Sequence, residues 1–303
     1  MRIQFVQSLI DRMRGKCSQK SRTTGHDLGN QTTDQCLEKR NHERQRSLKE
    51  KGIDLLGQMV RTREGLTFCI QDDMDGGTDI CVIQEIFCGS DYVFKNNEND
   101  QTIVIDMGMN VGIAALYFAA RKNVTRVYSY EPFTPTYNRA LDNIKLNPDF
   151  ANKITTFNFG LGKENKTFEI PYCSEISGDM STTVDRLEYE EKYHDRNRVL
   201  EKVEVKSAAE ALLPIFNSLA TECVVLKIDT EGAEFDILES LDSASLLKKV
   251  DFLMMEFHFR SPQPLEDILT KNGFVVIYKH IYHEKSQPSG LMYATNIGRR
   301  CYT

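Results

Sequence analysis

No Cys-x-x-Cys pair, no run of 18 apolar residues and no internal repeat occurs in the 303 residues of this chain. The first absence removes the usual spacing of thiolate metal and redox sites. The eight cysteines are scattered, several inside apolar segments, and read as reduced core thiols of a cytoplasmic protein. The second absence removes a membrane-spanning helix. Met1 to Met13 has no continuous apolar core, so a secretory signal is not expected. Positive charge is also short where it would count. Residues 1–50 hold 11 Lys and Arg against 6 Asp and Glu, which leaves 27 basic against 38 acidic residues in the rest. A catalytic domain at −11 argues against a nucleic-acid substrate, because phosphate contacts dominate that kind of affinity.

What is present is one large α/β domain, expected over residues 52–303, behind a polar N-terminal tail at 1–51. The tail lacks apolar periodicity after residue 13 and reads as disordered. Before it, Ile3, Val6, Ile10 and Met13 fall near helical spacing, which fits a frayed helix or a short amphipathic one. Thr78 to Gly89 reads as a helix, and strands and helices then alternate to the end of the chain. The expected fold is a single doubly wound, mostly parallel seven-stranded sheet with helices on both faces. Within it, Thr134-Pro135 starts a helix with a capping hydroxyl, Gly160-Leu161-Gly162 reads as a turn, and Ser207 to Glu210 forms a capping box. The charged segment 172–200 breaks the alternation and is expected to be a lid or an insert.

The chemistry gathers at strand ends. Thr102 to Ile105 reads as a buried strand, and Ile113 to Ala120 as a helix. Between them runs Asp106-Met107-Gly108-Met109-Asn110-Val111-Gly112. Glycines let the backbone turn sharply and approach a ligand. A pyrophosphate binder uses Gly-x-Gly-x-x-Gly with no acid at the loop mouth. Here Gly108 and Gly112 are spaced Gly-x-x-x-Gly, and Asp106 opens the loop. An acid suits a ligand with a positive group, such as S-adenosylmethionine. Glu131, at the tip of the next strand, is placed to accept from both ribose hydroxyls, and Asn158 ends the third strand near the expected adenine. Asp106, Gly108, Asn110, Gly112, Glu131 and Asn158 are therefore the expected cofactor residues.

A third strand-tip motif is Lys227-Ile228-Asp229-Thr230-Glu231-Gly232-Ala233-Glu234. With the glycine loop and the Tyr130-Glu131-Pro132 turn, it resembles the FkbM-type S-adenosylmethionine-dependent methyltransferases from about Asp79 to Ile297. Met109 departs from the small residue usual there. The resemblance implies a hydroxyl acceptor on a sugar, glycolipid or secondary metabolite.

Asp229, Glu231 and His258 are the expected catalytic residues, for a reason of charge. Methyl transfer starts from a sulfonium cation and loses that charge, so a carboxylate against the sulfur would stabilise the ground state more than the transition state. These groups should face the acceptor, orienting its hydroxyl or taking its proton. An unperturbed imidazole suits the base role. Glu231 and Glu234 read as helix-start acids, Lys227 as a charge partner of one of Asp229, Glu231 and Glu234, and no metal is assigned. An NAD-dependent oxidoreductase and a non-catalytic binding protein of the same fold are the alternatives, the latter motivated by Met109.

Overall fold

The computed structural model describes residues 48–71, 78–94, 100–173, 180–183, 198–284 and 287–299. The expected tail helix, and residues 174–179 and 184–197 of the expected insert, lie outside the described residues. Leu48, within the stretch read as tail, is fully buried in the core.

Three short antiparallel strands open the described chain: β1 (Asp54–Leu56), β2 (Met59–Arg61) and β3 (Thr67–Cys69). Three residues carry too little alternation to be legible in sequence. Helix α1 (Thr78–Phe87) follows as expected, with Ile80, Ile83 and Ile86 buried along one face.

The alternating part runs β4 (Thr102–Met107), α2 (Ile113–Ala119), β5 (Val124–Tyr130), α3 (Thr134–Lys145), α4 (Pro148–Ala151) and β6 (Ile154–Phe157). After β7 (Gly160–Gly162), β8 (Lys166–Tyr172) and β9 (Val199–Ser207) come α5 (Ala208–Ser218), β10 (Cys223–Ile228), α6 (Glu234–Ser243) and β11 (Phe252–Phe257). Helix α7 (Gln263–Lys271) and the hairpin β12 (Phe274–Glu284) and β13 (Gln287–Asn296) complete it.

The main sheet has the order β12-β13-β11-β10-β4-β5-β6. Strands β11, β10, β4, β5 and β6 are parallel, and β13 enters antiparallel beside β11. β4 and β10 are buried at every residue because helices cover both faces. Alternate residues feed two cores: Val104 and Val225 pack toward α1 and α2, whereas Ile105 and Leu226 pack toward α5 and α6. The strand order reverses between β4 and β10, and a crevice opens there at the carboxyl ends.

Two local expectations change. Gly160 to Gly162 is strand β7, paired with β9 in a separate three-stranded sheet β7-β9-β8. A Cβ on Gly162 would sit 3.0 Å from Val205, so glycine serves close strand packing here. Thr134 does not cap α3; its hydroxyl donates to Asn158 Oδ1 at 3.0 Å. The box at Ser207 is half realised. Ser207 Oγ accepts from the Glu210 amide at 3.4 Å, while the Ser207 amide donates to Asn165 Oδ1 at 2.8 Å.

Candidate active site

The crevice holds an open cleft, about 600 Å³ with the solvent at its mouth included. Its walls come from the loop after β4, the tip of β5, the start of β7, the tip of β10 and residues Met180 and Thr182. Of the expected residues, Gly108, Asn110, Glu131, Asp229 and Glu231 line it.

Gly108 has φ +83°, and a Cβ there would fall 1.7 Å from the carbonyl oxygen of Asp229. The glycine is therefore required by the approach of the loop to β10. Gly112, at φ +85°, caps α2 and packs on Ala140 of α3 rather than lining the cleft. Met109 points its side chain into the core at 1% exposure, and its amide donates to the Tyr130 carbonyl at 2.9 Å. It leaves the cleft unchanged.

Glu131 receives the Asn110 amide on Oε2 at 2.9 Å and the Phe133 amide on Oε1 at 3.0 Å. Burial nevertheless pushes its carboxyl up to about 7, against those two amides. Asn110 also leaves a buried Oδ1 without a hydrogen-bond partner. Asn158 does not line the cleft among the described residues. Its Nδ2 donates to the carbonyls of Glu131 and Pro132 at 3.0 and 3.3 Å, and its Oδ1 accepts from Thr134. Its polar atoms hold the turn that carries Glu131.

Asp106 stands behind the loop, fully buried, and does not line the cleft. Register places Ser129, Asp106 and Lys227 side by side on three adjacent strands. Ser129 Oγ donates to Asp106 Oδ2 at 3.1 Å, and Lys227 Nζ lies 3.3 Å from Asp106 Oδ1. Burial pushes the Asp106 carboxyl up, against the pull of the Lys227 ammonium. For Lys227, burial acts downward, but Asp106 and Asp229 outweigh it and raise its pKa, so it stays a cation. Sequence reading made Lys227 a partner of one of the acids at the β10 tip, and Asp229 is that partner at 3.6 Å; Asp106 is a second and nearer one at 3.3 Å.

Asp229 is the next link. Its Oδ2 accepts from the Tyr92 hydroxyl at 3.0 Å and lies 3.6 Å from Lys227 Nζ. Tyr92 carried no signal in the sequence, because it comes from a loop 137 residues away.

Glu234 opens α6 as a helix-start acid, whereas Glu231 stands before the helix. Glu231 has φ +54° and Gly232 φ +112°, a left-handed turn that lifts the Glu231 carboxylate out of the strand line. Such a conformation in a non-glycine residue is maintained by its surroundings. Glu234 provides them: fully buried, its carboxylate accepts from the Thr230 amide and hydroxyl and from the Gly232 amide, at 3.0 to 3.1 Å. Ser181 Oγ also donates to the Glu231 carbonyl.

His258 Nδ1 bonds Glu234 Oε1 at 3.2 Å, and its Nε2 lies 3.8 Å from both Glu231 Oε1 and Glu256 Oε1. Burial alone would lower its pKa, but the surrounding Glu231, Glu234 and Glu256 carboxylates raise it well above 6.5. The imidazole is therefore not the unperturbed one read from the sequence: the carboxylates gathered around it outweigh its desolvation.

A doubly wound sheet with a glycine loop after β4 and acids at the tips of β5 and β10 is the frame of the Rossmann-like methyltransferases. The chain belongs to the family described as the methyltransferase FkbM domain, which matches residues 106–276. Over 229 residues it is 28% identical to the AMB antimetabolite synthetase AmbE of Pseudomonas aeruginosa, covering 64% of this chain and 10% of that protein. It is 24% identical to Methyltransferase 1 of Beauveria bassiana over 152 residues, 47% of this chain and 59% of that one. The methyltransferase sdnD of Sordaria araneosa is 24% identical over 212 residues, 64% of this chain and 81% of that one. The solved methyltransferase FkbM from Methylobacillus flagellatus superposes with a TM-score of 0.40 at 17% identity, covering 67% of this chain and 45% of that one.

Proposed function

We propose that this chain is an S-adenosylmethionine-dependent methyltransferase whose acceptor is a hydroxyl of a small molecule such as a sugar, glycolipid or secondary metabolite. One observation carries the reading. Among the described residues, the charged groups lining the cleft are Glu131, Asp229 and Glu231, and no lysine or arginine lines it. A pyrophosphate would meet only repulsion there. The family match also favours methyl transfer over the oxidoreductase alternative. Nothing in the placement of Met109 favours a non-catalytic protein.

The residues present fit the cofactor. Glu131 offers a carboxylate to hydroxyl donors, and the orphaned Asn110 Oδ1 offers an acceptor to an ammonium group. Bound there, the cofactor supplies an activated methyl group. Gly108 lets the loop close on β10, while Asp106 and Lys227 hold that loop from behind. Asp229 and Glu231 orient the acceptor hydroxyl, and Asp229, which lines the cleft as His258 does not, is the better placed of the two to take its proton. Positioning of this kind supplies much of the rate of a displacement. Met180 to Thr183 is the described part of a proposed lid over the acceptor side, within the domain proposed to span 52–303.

Calorimetric titration of the full chain with S-adenosylhomocysteine, S-adenosylmethionine and NAD tests the reading. Binding of the first two is expected; binding of NAD alone would sink it.

A further inference from the structure

We propose that Asp229, Glu231 and His258 form a binding site for a divalent first-row transition ion, Mn²⁺ or Zn²⁺, on the acceptor side of the cleft. One ligand atom from each residue lies within 4.8 Å of the other two. Nitrogen and oxygen atoms that share one tetrahedral ion, each about 2.0–2.2 Å from it, sit roughly 3.3–3.6 Å apart. His258 Nε2 and Glu231 Oε1 are already 3.8 Å apart, and side-chain rotations of up to about 1 Å bring the set to that spacing.

The imidazole gives an independent indication. His258 is 6% exposed, and its Nδ1 is fixed by Glu234 Oε1 at 3.2 Å. Its Nε2 faces Glu231 Oε1 and Glu256 Oε1, each 3.8 Å away and beyond hydrogen-bond reach. A buried ring is thus held by an outer carboxylate on one nitrogen, with the other nitrogen turned toward carboxylate oxygens. That is how histidine ligands are oriented around metals. Glu234 suits this outer role because the Thr230 and Gly232 amides already fix it.

Charge points the same way. Glu231 and Glu256 each come within 3.8 Å of His258 Nε2, with Asp229 beside them, and an ion would offset the repulsion of three carboxylates brought so close. The nitrogen donor selects the metal class. Ca²⁺ and Mg²⁺ favour all-oxygen shells, whereas imidazole with carboxylates suits Mn²⁺ or Zn²⁺ and leaves coordination positions open. The role of the ion rests on the methyltransferase reading: an acceptor oxygen in an open position would lose its proton more readily. Ion binding itself does not depend on that reading.

The test uses the full chain, freed of metal by chelation and titrated with Mn²⁺ or Zn²⁺, with Mg²⁺ as a third arm. One Mn²⁺ or Zn²⁺ per chain is expected. Glu231→Gln and Asp229→Asn should weaken binding at least tenfold, and Glu234→Gln by about 10–100-fold. Pulsed paramagnetic resonance of Mn²⁺ in the parent should show coupling to one imidazole nitrogen, which needs no variant to fold. No saturable Mn²⁺ or Zn²⁺ binding, Mn²⁺ without nitrogen coupling, or unchanged affinity in folded Glu231→Gln each overturns the site. S-adenosylhomocysteine titrations on the same samples separate the two readings. Cofactor binding without metal defeats the ion site alone; metal binding without cofactor leaves it standing and defeats the methyltransferase reading.

Discussion

Lys227 donates a 2.6 Å hydrogen bond to the carbonyl of Gly108, 119 residues earlier in the chain. The same ammonium lies between Asp106 and Asp229 at 3% side-chain exposure, so one buried cation joins the glycine loop after β4 to the tip of β10. Lys227→Met should cost about 3–5 kcal/mol in urea unfolding, because it strands buried carboxylates. Adding Asp106→Asn should recover part of that loss; a strictly additive double variant would show that the two do not interact.

Gly108→Ala should destabilise the fold whether or not ligand is present. The left-handed backbone alone costs an alanine on the order of 1–3 kcal/mol, and the methyl would collide with the Asp229 carbonyl. An unchanged unfolding midpoint would mean that the loop does not pass β10 as described.

Cofactor affinity should depend on pH through Glu131. Burial raises its carboxyl to about 7, and hydroxyl donors bind its ionised form. The bound state therefore has the lower pKa. Affinity for S-adenosylhomocysteine should be strongest above pH 7 and should weaken as pH falls, by up to about tenfold per unit. Glu131→Gln should flatten this profile and weaken binding at pH 8 by about 1.5–3 kcal/mol. A parent affinity constant from pH 5.5 to 8.5 would remove Glu131 from the site.

Ser181→Ala deletes the hydroxyl that holds the Glu231 carbonyl. Because that bond steadies the acceptor side of the cleft, we expect KM for the acceptor to rise several-fold, with affinity for S-adenosylhomocysteine unchanged. Identical kinetics in the variant would make residues 180–183 a passive cover.

What the sequence determined was local. The buried runs at β4, β5 and β10 show in a window of a few residues. So do the Gly108 and Gly112 spacing and the acids at the strand tips, because apolar periodicity and glycine placement act over one turn or one strand. That was enough for the sheet, the cleft and the placing of Glu131, Asp229 and Glu231 in it. Only the tertiary structure turned Asp106 away from the cleft and onto Lys227. Cross-strand register between segments more than 100 residues apart decides that pairing, and no local pattern encodes it. It also brought Tyr92 to Asp229, spent Asn158 on its own turn and made Glu234 the support of His258. The upward shift of the His258 pKa was illegible for the same reason: it depends on the balance between burial and three carboxylates that meet only after folding.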